Sequence, residues 1–292
     1  MRTPIAVAAA LAVVCRVAPA RACAVCATAD TTLTPASQEQ SFAGRVQATV
    51  DYRQGWVEAG GVTVDDHRLE AAMHVAASRE VLLTLAAPLL LRDVSAPGAP
   101  AATALVPGDL ELRMNRVETT FGAGGTRHRL GVLVALDLPS APLARGPEGT
   151  PLPAVLQPGS GSVVPAGGLD YAIGRGAWTA YAGLSVWLPF AVRAGPHAGE
   201  SIRTSLRAQW QPSHVLAFRA GGNVNAETAC ELSAGTIDPD SGGVVVYAAG
   251  AIAVTPLPDL VLDVGLLVPA VQALRGDHRE GPVATATLAY DF

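Results

Sequence analysis

The chain has 292 residues, half of them apolar and 15% charged, with a formal net charge of −5. A soluble protein carries about a quarter charged residues, so the surplus apolar surface must be covered by a large core, a partner or lipid. The basic residues are all arginine and form no basic patch, which argues against a nucleic-acid partner.

Residues 1–22 read as a secretory signal peptide. Arg2 supplies the positive charge, Ile5 to Cys15 is an unbroken apolar run, and Ala20-Arg21-Ala22 is a small-x-small cleavage site. The run is shorter than the roughly 20 residues a spanning helix needs, and no later stretch of that length is continuously apolar. A chain exported in this way enters a membrane only as strands.

Residues 23–40 are polar and irregular and are expected to form a periplasmic segment. They carry Cys23 and Cys26 as C-x-x-C. In an oxidising compartment the simplest reading is a disulfide across a tight loop. Thiol exchange, or a soft metal such as copper or zinc, is the alternative, although one pair supplies only two ligands. No histidine adjoins the motif to serve a covalently attached haem, and no cofactor is expected. A lipid on Cys23 is a further reading, but the residues before it lack the usual leucine and include Arg21.

From Ser41 the pattern alternates with a period of two, the signature of a strand. Phe42, Gly44, Val46, Ala48, Val50 and Tyr52 share one face; Arg45, Gln47, Thr49, Asp51 and Arg53 share the other. The design recurs eleven times. Leu69–Val75, Val81–Leu89, Leu110–Met114, Leu130–Leu138, Gly167–Ile173, Trp178–Leu188, Ile202–Trp210, Leu216–Ala220, Val244–Ala248, Leu260–Val268 and Ala284–Phe292 each set an apolar face against a polar one. Twelve strands is an even number, as in single-chain bacterial barrels. The sequence therefore predicts an all-β, transmembrane, antiparallel up-and-down β-barrel over residues 41–292.

A soluble sandwich also alternates, and two features separate it from a barrel. Connections after strands 2, 4, 6, 8 and 10 are short, whereas those near 92–106, 140–160, 190–200, 222–242 and 271–281 are long and rich in Pro, Gly, Asp and Ser. Short periplasmic turns and long outer loops are the barrel pattern. Four aromatic residues, Phe42, Trp178, Trp210 and Phe292, also fall at one end on the apolar face, as at a lipid–water interface.

The terminal Phe292, with Tyr290, Leu288, Ala286 and Ala284 on its face, looks like the closing strand of bacterial outer-membrane barrels. That resemblance implies recognition by the barrel assembly machinery. Gly108-Asp109-Leu110, Leu138-Pro139, Pro158-Gly159-Ser160-Gly161-Ser162 and Gly167-Gly168-Leu169-Asp170-Tyr171 resemble, in order and spacing, the transporter barrels labelled MetA-pathway of phenol degradation. The resemblance implies an outer-membrane channel for a small solute. The family label points to a hydrophobic or aromatic compound, though phenol itself is not carried over.

Arg45, Arg53, Glu70, Glu111, Arg113, Arg129, Asp137, Asp170, Arg203, Arg207 and Asp263 fall on polar faces. An arginine facing lipid at mid-depth costs about 2–4 kcal/mol, so these groups are expected to line the lumen, with His74 beside Glu70 on the same wall. They make either a wetted, selective pore or a lumen closed by ion pairs; the 140–160 loop is long enough to fold inward. No nucleophile, base and carboxylate gather at one rim, so no catalytic role is expected. A monomer in outer-membrane lipid, with both termini periplasmic, is the expected state.

Overall fold

The computed structural model describes residues 46–292, apart from loop positions 99–100, 146–148, 150, 153–155, 193–194, 234 and 258. The signal peptide, Cys23, Cys26, Phe42 and Arg45 lie outside the described residues.

Twelve antiparallel strands form one closed sheet. They are β1 (Val46–Ala59), β2 (Val62–Ala76), β3 (Val81–Ser95), β4 (Leu110–Phe121), β5 (Arg127–Leu138) and β6 (Ser162–Arg175). They continue as β7 (Trp178–Trp187), β8 (Ser201–Trp210), β9 (Leu216–Glu227), β10 (Gly243–Leu257), β11 (Leu260–Leu274) and β12 (Val283–Asp291). Each strand pairs with its neighbours in sequence, and β1 pairs β12 from Gln47↔Asp291 to Gln54↔Ala284, so the sheet has no open edge. Closure satisfies every ladder, the condition for strands in lipid.

The alternation sets the two faces. Leu69, Met73, Leu85, Leu112, Val132, Val134, Leu169, Leu184, Leu206 and Val264 are exposed on the outside, while their chain neighbours are buried or half-buried inside. An apolar skin around a polar interior is the inverse of a soluble domain and belongs in a bilayer.

Short turns follow β2, β4, β6, β8 and β10 at the rim that also carries Val46 and Phe292. Long connections follow β3, β5, β7, β9 and β11 at the other. The exception at that rim is β1–β2, joined by Gly60-Gly61 alone; φ of 56° and 73° there suits a two-residue turn that glycine adopts without strain.

Several long connections are partly ordered as strand. Ala102–Pro107 folds back on β3, from Val94↔Ala102 to Leu89↔Pro107, so the first long loop is a hairpin extension. Between Leu89↔Pro107 and Ala86↔Glu111, two residues of β3 oppose three, Gly108, Asp109 and Leu110, which makes a bulge. Pro88 sits opposite this bulge, where a missing N–H breaks no regular ladder. A Cβ at Gly108 would stand 2.7 Å from Pro88 Cγ, so the crossing requires glycine. The strands β9 and β10 also run further than the sequence pattern indicates, which shortens their loop to 228–242.

Candidate functional site in the barrel lumen

The ladder itself arranges the interior charges. Asp263, Thr287, Asp51 and Glu70 are successive partners across β11, β12, β1 and β2. Two residues along each strand, the next row reads Gly265, Thr285, Arg53 and Arg68, and continues through Ala251 to Arg219. An acidic row therefore faces a basic one. Diagonal contacts join them: Arg219 Nη1 donates to Asp263 Oδ2 at 2.8 Å, and Arg68 Nη2 to Glu70 Oε2 at 2.6 Å. Thr287 Oγ1 donates to Asp51 Oδ1 at 2.5 Å.

Arg113, on β4, bridges across β3 to β2. Its guanidinium grips Glu111 of the same strand and reaches Glu70 Oε1 at 3.5 Å. Asp170 lies 4.0 Å from Arg129. Arg207 Nη2 donates to Asn223 Oδ1 at 3.3 Å. His74 is held between Thr49 Oγ1 at 3.1 Å and Thr84 Oγ1 at 2.8 Å, so both ring nitrogens are engaged by hydroxyls. The structure thus gathers Arg53, Glu70, Glu111 and Arg113 into one belt and places His74, Arg129, Asp137, Asp170, Arg203, Arg207 and Asp263 elsewhere on the same inner surface. Along the Arg53 row, the small side chains of Ala249, Ala251, Gly265 and Thr285 leave a solvent-open space against Arg207, Arg219 and Asp263.

The long-loop mouth is built differently. From the described part of the 139–161 connection, Leu152 and Leu156 are buried against Val57, Ala59, Val64, Val245, Tyr247, Leu267 and Val283, together with Cys230 from the β9–β10 loop. Two polar ties hold it. Buried Arg92 donates from Nη1 to Leu156 O at 2.6 Å, while its Nε lies 3.4 Å from Asp66 Oδ1. At the β4 bulge the Asp109 carboxylate accepts from Ser160 N at 2.6 Å, Ser160 Oγ at 2.8 Å and Ala141 N at 3.0 Å.

A second strap crosses the same mouth. The Arg279–Glu280 segment pairs with Val57 and Glu58 of β1. The buried Glu280 carboxyl receives the Tyr247 hydroxyl, and Gln272 brackets its backbone at 2.9 Å on both sides. Burial raises Glu280 to about 8 and lowers His278 to about 4. At neutral pH their 3.6 Å contact is therefore a carboxylic acid beside a neutral imidazole rather than an ion pair. Burial and the nearby Glu227 also push the Cys230 thiol well up.

Beside the apolar plug lies a polar cavity, partly open to solvent, walled by Arg68, Glu111, Asp137, Ser160, Trp187 and Arg203 among others. At the opposite rim Trp178, Trp210 and Phe218 stack on the outer face with centroids 6.2 and 5.7 Å apart, and Tyr290 meets Phe292 edge-on at 4.9 Å.

Asp66, Arg92 and Arg219 complete the interior network without having been singled out in the sequence; Asp109 stands out there only within its strand-opening motif, and Arg68 only as a polar-face neighbour of Glu70. Arg219 follows the same alternation as its neighbours and was legible. Arg92 was hidden because the inward positions before it are Ala86, Pro88 and Leu90.

No protein-family model matches the chain, and no curated protein sequence matches it. Among solved structures, the COG4313 outer membrane channel from Pseudomonas putida F1 aligns with a TM-score of 0.67 at 15% identity, over 89% of this chain and 99% of that one. The fold is that of an outer-membrane barrel. The transport unit of the autotransporter AIDA-I from Escherichia coli aligns with a TM-score of 0.51 at 9% identity, over 87% of this chain and 92% of that one. These likenesses bear out the architecture that the terminal-strand and glycine motifs implied.

Proposed function

We propose that this chain is an outer-membrane channel through which a small solute diffuses. The observation that carries the reading is a closed barrel with a lipid-compatible skin, whose inner surface sets opposed rows of charge around space that side chains leave unfilled. Such a lumen holds water, and water with fixed charges makes a selective path without covalent chemistry. On this reading Arg53, Glu70, His74, Glu111, Arg113, Arg129, Asp137, Asp170, Arg203, Arg207 and Asp263 line the path. The short-turn rim, with its aromatic cluster and both ends of the barrel, faces the periplasm; Phe292 addresses the assembly machinery. Export through cleavage after Ala22 and a Cys23–Cys26 disulfide complete the reading, and the mass of the mature chain tests both.

One observation favours a second reading, a structural barrel with a closed lumen: Leu152 and Leu156 fill the apolar half of the mouth. Planar-bilayer recording separates the two. Steady current from protein whose gel mobility shifts on heating supports the channel. A heat-modifiable barrel that passes no current at any voltage rejects it in favour of the plugged form.

A further inference from the structure

The polar cavity at the mouth contains two ionisable groups that the protein leaves without a hydrogen bond. Of the ionisable groups on its wall, Asp109 is committed to Ser160 and Ala141, Glu111 to Arg113, Arg68 to Glu70, and Glu227 accepts from Cys230 Sγ at 3.5 Å. Arg203 on β8 and Asp137 on β5 are different. Among the described residues neither group makes a hydrogen bond or a contact ion pair; Arg203 acts on Asp137 only through space, and Arg203 Nε and Asp137 Oδ1 are shielded from solvent without a partner. Arg203 is fixed instead by stacking 4.4 Å over the Trp187 ring, whose own N–H is taken by Ser185 Oγ at 3.0 Å. Trp187 is in turn packed on Leu133, Ala135, Val164 and Ala166, an apolar island on the inner wall.

This is an arrangement of two groups of opposite charge type, neither hydrogen-bonded by the protein, beside an apolar floor. Had the two groups closed on each other they would form an ordinary lumen ion pair, as Arg219 and Asp263 do. Held apart and rigid, they present donors on one side and an acceptor on the other. The chemistry that satisfies both is a small molecule carrying a carboxylate and a cationic donor on one compact apolar frame.

We propose that Arg203, Asp137 and the Trp187–Val164 floor form a binding site for a small zwitterion of the amino-acid type, the carboxylate on Arg203 and the ammonium on Asp137. The site deepens the channel reading, since solute must reach the lumen to fill it.

The test uses the full-length mature protein in detergent. L-valine, isobutyrate and isobutylamine are titrated by calorimetry and by Trp fluorescence. Wild-type protein should bind L-valine at least about tenfold more tightly than either half-probe. Arg203→Gln should lose binding of both L-valine and isobutyrate. Asp137→Asn should lose the preference for L-valine over isobutyrate while keeping isobutyrate. Heat-modifiable mobility shows that each variant is folded, and Trp187→Phe should remove the fluorescence response. Absence of L-valine binding by the folded wild type overturns the site, as does binding that neither substitution alters. Bilayer current from the same preparation keeps the two readings apart. Current without L-valine binding sinks the site alone; L-valine binding without current sinks the channel alone.

Discussion

Asp109 decides whether the plug stays docked. Its carboxylate accepts three hydrogen bonds from the 139–161 connection, all between 2.6 and 3.0 Å. Bonds to an ionised acceptor are worth about 1.5–3 kcal/mol each. Water partly replaces them when the loop lifts, so Asp109→Ala should weaken docking by about 3 kcal/mol in total. That changes the docked-to-undocked ratio by roughly 150-fold. Gly159→Ala attacks the same contact by another route, because a Cβ there would collide with the Asp109 carboxylate and stand 2.6 Å from Ala141 Cβ. Neither change touches the strand ladders, so heat-modifiable mobility should be unaltered. Both should raise single-channel conductance or open probability. They should also speed labelling of Cys230, which is fully buried beside Leu152 and Leu156, in a background where Cys23 and Cys26 are serine. Wild-type current together with wild-type labelling in both variants would refute the claim that this loop closes the mouth.

Two further outcomes are expected. Arg92→Met removes the counter-charge of buried Asp66 and the donor to Leu156 O; it should cost about 3–5 kcal/mol in urea unfolding from detergent, and adding Asp66→Asn should recover part of that loss. If Asp66→Asn gives no recovery, the cost lies in packing rather than in the stranded charge. The 275–282 strap should be held most firmly across a plateau between about pH 4.5 and 6.5. Glu280 is raised from 4.5 to about 8, so its contribution is complete below pH 4.5 and declines as pH rises through 8. His278 is lowered from 6.5 to about 4, so its contribution is complete above pH 6.5 and declines as pH falls through 4. Between those limits the slopes oppose each other. Amide exchange in the strap should therefore accelerate above pH 6.5 beyond its intrinsic rate, and Glu280→Gln should abolish that limb; an unchanged limb in the variant would assign it elsewhere.

The barrel was legible because its physics is local. A period of two needs no knowledge of the partner strand, and lipid outside with water inside enforces it on every strand from Val46 to Asp291. The charges were legible for the same reason: Arg53, Glu70 and Arg113 stand where alternation puts them. What alternation does not contain is register. Thr287 meeting Asp51, or Arg219 sharing a row with Arg53 through Ala251, Gly265 and Thr285, depends on how far each strand slides against the next. The plug was legible only as a length. That the 139–161 connection turns inward follows from Arg92 and Asp109, one hidden among apolar inward neighbours and the other in a bulge with no period at all.

The same distinction explains why the lumen divides into an apolar and a polar half. Val57, Val64, Val245, Tyr247 and Leu267 point inward near the mouth on β1, β2, β10 and β11, where a water-filled wall would favour polar groups. Inward apolar residues are costly to leave wet, at about 25 cal/mol per Å² of surface, so they require a cover, and Leu152 and Leu156 supply it. On the facing wall Asp137 and Arg203 require the opposite, a polar occupant. A loop that satisfied both walls would seal the barrel. This one covers the apolar wall and ties to Arg92 and Asp109, and the space it leaves lies beside Asp137 and Arg203. An occluding loop matched to half of a mouth is the arrangement of a constriction that selects, and the Asp109 variants measure how much of the closure that loop provides.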